Sequence, residues 1–137
     1  MKKGTEIIFI LLVLAVLCAC GGGGNVKDAA IVPVKSDIYT EKEIDDAAKT
    51  AIKYFRREFS GCTLKEIQYI GDDAKDRFTG WAEQYGADEA IILISTFDVD
   101  ASGGDGSLNP NSTYTNWQWI LVRDGKSNWR HVTHGYG

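Results

Sequence analysis

Residues 40–59 read TEKEIDDAAKTAIKYFRREF. Ile44, Ala48, Ala51, Phe55 and Phe59 recur at steps of three or four, with Ala47 and Ile52 beside them. That spacing predicts a helix with one apolar face. Thr40 is placed to cap it, and Glu43, three residues on, gives the spacing of a capping box. Glu41, Glu43, Asp45 and Asp46 gather at the positive end of the helix dipole, with Arg56 and Arg57 at the negative end. Ser60-Gly61 ends it. An apolar stripe of this length must be buried against another layer.

Downstream, the chain supplies that layer. CTLKEIQYIG, residues 62–71, reads as a strand with Ile67 and Tyr69 on one face and Leu64 and Ile70 on the other. DDAKDRFTGWAEQYG follows with Ala74, Phe78, Trp81, Ala82 and Tyr85 at helical spacing, and Gly86 in the position after the helix end. DEAIILISTFDVD, residues 88–100, is apolar on both parities as far as Thr96, as a central strand covered on both faces would be. TYTNWQWILVR, from Thr113, is rich in aromatic and β-branched residues. Asp124-Gly125-Lys126 is a hairpin turn signal, and SNWRHVTHGY is the returning strand. The expected fold class is α+β: a long N-terminal helix on a curved, mainly antiparallel four-stranded sheet. A second, short helix lies between the first and second strands.

Upstream, MKK precedes the apolar run IIFILLVLAVL, residues 7–17, which is too short to span a membrane comfortably and fits a secretory signal. Leu17-Cys18-Ala19-Cys20 resembles the bacterial lipobox, an aliphatic residue and two small ones before an obligatory cysteine. The resemblance implies cleavage after Ala19, diacylglyceryl transfer to Cys20, and anchoring at the extracytoplasmic face of the cell membrane. The expected division is residues 1–19 as signal peptide, 20–37 as lipidated flexible tether, and 38–137 as the domain. Fully extended, residues 21–37 would reach roughly 60 Å; as a coil they would reach about 20–25 Å. Ile31, Val32 and Val34 could dock as an edge segment, since Pro33 disfavours a central strand.

Losing Lys2, Lys3 and Glu6 with the signal leaves the mature chain one charge more negative than the −4 of the whole sequence. With no basic cluster, neither nucleic acid nor an anionic lipid surface is an expected partner. Cys18 leaves with the signal and Cys20 is acylated, so Cys62 has no intramolecular partner. Stability must then come from an apolar core, to which four Trp, six Tyr and five Phe contribute.

The lipobox together with residues 38–137 resembles a family of small lipoproteins of Gram-positive bacteria carrying a domain of unknown function; DVDASGGDGSLNPNSTYTNWQWILV is the most distinctive piece. The resemblance implies surface localisation and a fold similar to NTF2-like or cystatin-like domains, in which a curved sheet wraps a long helix. It carries over no activity and no catalytic residue.

Three candidate sites remain. Asp98, Asp100, Ser102 and Gly103 stand at positions 1, 3, 5 and 6 of a calcium loop, but the twelfth position is Asn109 instead of a bidentate glutamate, and strands flank the loop. An EF-hand is therefore rejected. A looser cation site using Asp98, Asp100, Ser102 and Asp105 stands against a long hairpin loop whose Asp and Ser side chains bond their own backbone. Trp117 and Trp119 share one parity, and Trp129 and His131 another on the neighbouring strand; the four could line a ligand pocket or simply fill the core. His131 and His134, the only histidines, have an odd spacing that puts them on opposite faces of a regular strand. With no nucleophile elbow, phosphate loop or zinc motif, neither a cofactor nor an enzyme is expected. The reading is a membrane-anchored surface lipoprotein with a non-enzymatic domain that binds a protein or small-molecule ligand. The alternative is a calcium-binding module at residues 98–105, and a remote third is a small envelope enzyme.

Overall fold

A computed structural model describes residues 23–136. The signal peptide and Cys20 lie outside the described residues. The domain is α+β, with two helices and an open five-stranded mixed sheet in the order β1-β2-β3-β4-β5.

The strands are β1 (Ala30–Val32), β2 (Cys62–Tyr69), β3 (Glu89–Val99), β4 (Thr113–Arg123) and β5 (Arg130–Tyr136). β1 runs parallel to β2, and the other neighbours are antiparallel. The helices are α1 (Glu41–Glu58) and α2 (Lys75–Gln84), the latter entered through a short 3-10 turn at Asp72–Ala74.

α1 forms as its sequence predicts. The Thr40 hydroxyl accepts from the Glu43 amide at 3.1 Å, and the Glu43 carboxylate accepts from the Thr40 amide at 2.9 Å. Ile44, Ala47, Ala48, Ala51 and Phe55 are buried. Phe55 stacks on Phe59 and meets Phe97 and Trp119 edge-on, which places α1 over the Trp119 face of the sheet. Burying one such ring stabilises the fold by about 1.5–3 kcal/mol. α2 ends as expected: Gly86 has φ +63°, the Ala87 amide reaches the Ala82 carbonyl and the Gly86 amide the Glu83 carbonyl. Those are the two bonds of a Schellman motif.

β3 is central, and Ile91, Ile92 and Leu93 are all fully buried. α1 covers the Leu93 side. On the opposite parity Arg77 of α2 donates to Gln118, so α2 lies over Ile92 and Ile120.

The sequence reading is corrected in three places. The sheet has five strands, not four, so α1 is not the first element and α2 falls between the second and third strands. The added strand comes from the stretch read as a flexible tether. From Asn25 onward that stretch belongs to the domain. The Asn25 amide donates to the Cys62 carbonyl and the Asn25 carbonyl accepts from Leu64. β1 then extends the sheet edge, and Val26, Ala29, Ile31 and Val34 pack on the core. Its far end is pinned by Asp72, which accepts from the Ser36 hydroxyl, the Asp37 amide and the Tyr69 hydroxyl. Lastly, Leu64 lies on the same side as Ile67, because a bulge between Leu64 and Glu66 resets the alternation.

Candidate functional site

Three places could carry function, and the fold treats them differently. The β3–β4 loop does not gather its acidic side chains. Asp98 accepts from the Thr113 hydroxyl at 2.6 Å across the β3–β4 ladder. Asp100 accepts from the amide and hydroxyl of Ser102, and Asp105 does the same with Ser107. Those hydroxyl and amide bonds hold both carboxyls below their ordinary range. The loop also closes on itself, with the Asp100 carbonyl accepting from Gly103 and Asn111 and the Asp100 amide donating to Gly61. Asp98, Asp100, Ser102 and Asp105 thus take part in three separate turn and ladder contacts, with Thr113, between Asp100 and Ser102, and with Ser107. Among the described residues no group of three or more His, Cys, Asp or Glu could hold a metal ion.

The aromatic row is divided. Trp117 and Trp119 are buried beneath α1, with Phe59 against both. Trp119 donates its indole N–H to Ser95 at 2.8 Å, whereas the Trp117 N–H has no partner among the described residues. Trp129 precedes β5 and belongs to the other end of the molecule, beside Tyr39 and Arg123. His131 does lie with Trp119, and His134 joins it, which corrects the reading that placed the two histidines on opposite faces. Ile120 pairs with Thr133 and Leu121 with His131, so Val132 is an unpaired bulge residue. The bulge turns both imidazoles to the α1 side. His134 Nδ1 lies 3.2 Å from His131 Nε2, with Tyr54 packed over the pair. Burial, and then the neighbouring His134, push His131 down to about 4; burial also lowers His134. Both rings are therefore neutral at pH 7. Nothing in the sequence pattern announces a bulge, so this pair was beyond reach of periodicity.

A third place was not singled out from the sequence. An open groove of about 770 Å³ runs between α1, from Lys42 to Lys53, and the β4–β5 turn. Lys42, Asp46, Lys49, Lys53, Lys126 and Asn128 line it, with Lys42 paired to Asp46 and Lys49 to Asp45, and Arg123 and Trp129 form its base. The base is rigid. Arg123, only 4% exposed, donates to Glu89 at 2.9 Å and to Glu43. Its guanidinium sits 4.1 Å over the Trp129 ring, whose N–H donates to the Glu43 carbonyl. The Thr40 amide, and then Arg123, hold Glu43 down at about 2. Glu43 therefore both caps α1 and ties it to β4. Lys126 leans over the same two carboxylates at 3.5 and 3.7 Å. The signal available in sequence was the charge of Glu43 and Arg123, 80 residues apart; only the fold brings them together.

Cys62 is buried, and burial followed by the charges of Asp100 and Asp105 raises its thiol to about 11. It is not a nucleophile at neutral pH. No helix among the described residues is long and apolar enough to cross a membrane. The chain matches no family model, no curated protein and no solved structure.

Proposed function

We propose that the protein is a surface lipoprotein, anchored at the extracytoplasmic face of the cell membrane through Cys20, whose domain binds a ligand without transforming it. Leu17-Cys18-Ala19-Cys20 supports the anchor. Those residues together with residues 38–137 support membership of the small Gram-positive lipoproteins, with a long helix on a sheet in the manner of NTF2-like or cystatin-like domains. The single observation that supports binding is the groove over Arg123 and Trp129. Its base is fixed by a buried ion-pair network and its rim is lined with lysines. A preformed concavity lined by charged groups over a fixed base suits recognition of a charged ligand. The lysine rim suits an anionic segment of a protein or polymer.

The test is a titration of the isotope-labelled domain with short acidic peptides and anionic envelope polymers, read by amide shifts. The expected result is saturable movement of Thr50, Lys53, Ser127 and Asn128, abolished in Lys53→Glu. Saturable binding that moves only residues outside the groove overturns the assignment.

A further inference from the structure

Gly23 and Gly24 are wedged against the C-terminal end of α1. A Cβ on Gly23 would fall 1.7 Å from the Arg56 carbonyl oxygen, and one on Gly24 would fall 2.6 Å from the Phe55 ring. The path of the chain is therefore fixed as early as Gly23. Cys20 lies three residues before it, a span of no more than about 11 Å.

The same end of the molecule gathers the start of β2, the end of β3, the start of β4 and the end of β5. The β3–β4 loop packs there on Gly61. Tyr136, at the end of β5, is 63% exposed, the most exposed large apolar side chain among the described residues. A tyrosine with its hydroxyl in water and its ring beside apolar groups suits the headgroup region of a bilayer. Arg56 and Arg57 are exposed at the same end and suit lipid phosphates. Asp100 and Asp105 are exposed there too, so the orientation comes from the anchor point and not from net charge. The groove runs along α1 from Lys42 to Lys53, with its Glu43–Arg123–Trp129 base at the other end of a helix whose 18 residues span about 27 Å.

We infer that the domain stands directly on the membrane, with the pole of Gly23, Arg56, the β3–β4 loop and Tyr136 against the phospholipid headgroups and the Arg123–Trp129 groove facing away. The inference rests on the lipoprotein reading of Cys20. It replaces a domain ranging freely on a long tether with one held in a fixed orientation.

The test uses the full lipidated protein in vesicles of equal parts phosphatidylcholine and phosphatidylglycerol carrying a headgroup nitroxide. A fluorophore is placed on Ser102→Cys at the near pole or on Ser127→Cys at the groove, each in a Cys62→Ala background. The expected result is strong quenching at position 102 and little at 127. A Gly/Ser insert between Gly22 and Gly23 should erase the difference. Equal quenching at the two positions, in protein whose intact mass carries the lipid, overturns the orientation and leaves the anchor standing. An intact mass without lipid overturns the anchor and the orientation with it.

Discussion

Arg123 is the residue whose loss should cost most. Its guanidinium neutralises Glu43 and Glu89 and covers Trp129, and it is almost wholly buried. The partner carboxylates are part-exposed, so removing Arg123 should cost between the roughly 1 kcal/mol of a surface pair and the about 3–5 kcal/mol of a fully buried one. Arg123→Ala should lower the unfolding free energy by an amount in that range, measured by urea denaturation. A loss below about 1 kcal/mol, the range of a surface pair, would show the network to be solvated. The two histidines make a prediction in pH. Their folded pKa values are depressed, so below the unfolded value of 6.5 the unfolded chain binds more protons. Stability from the pair is present above pH 6.5 and is lost as pH falls towards about 4, the folded value of His131. Glu43 acts lower, between its ordinary 4.5 and about 2. Melting temperature measured against pH should fall in the upper window, and His131→Gln should flatten the fall there while leaving the lower window. An unchanged upper slope in the variant would remove the histidine pair from the account.

At the scale of elements, the N-terminal segment is the sharpest test. Gly23→Ala puts a methyl group against the Arg56 carbonyl, and overpacking of this kind costs about 1–3 kcal/mol. The variant should raise hydrogen exchange at Asn25 and along β1 while the β3–β4 ladder stays protected; unchanged exchange would show that the close approach is not needed. The helices and β3 to β5 were legible because their apolar residues recur at helical or strand spacing and their ends carry Thr40, Gly86 and Asp124-Gly125. β1 was legible only as an edge segment at Ile31 and Val32, not as a regular strand. Three residues beside Pro33 and a glycine run carry no periodicity, and only pairing with β2 makes them regular. The bulges near Lys65 and at Val132 were hidden for a related reason. A bulge is set by how two strands must pair, and alternation read along one strand cannot reveal it. That is why Leu64, His131 and His134 were assigned to the wrong faces. The groove was hidden because its parts come from α1 and the β4–β5 turn.

At the scale of the whole molecule, the β3–β4 loop and the close approach of Gly23 lie at one pole and the Arg123–Trp129 base of the groove at the other; in the proposed reading the first pole faces the membrane. The aspartates of that loop bond to Ser102, Ser107 and Thr113, so millimolar calcium should leave the melting temperature unchanged. A saturable rise would restore a cation site among Asp98, Asp100 and Asp105. The proposed anchor at Cys20 would decide where the domain works and which pole faces outward. It is tested most directly by the mass of the N-terminal tryptic peptide from protein extracted from membranes. The account predicts a peptide beginning at Cys20 and ending at Lys27, with a diacylglyceryl group on the cysteine. An unmodified Cys20, or a mature chain that begins elsewhere, would contradict it.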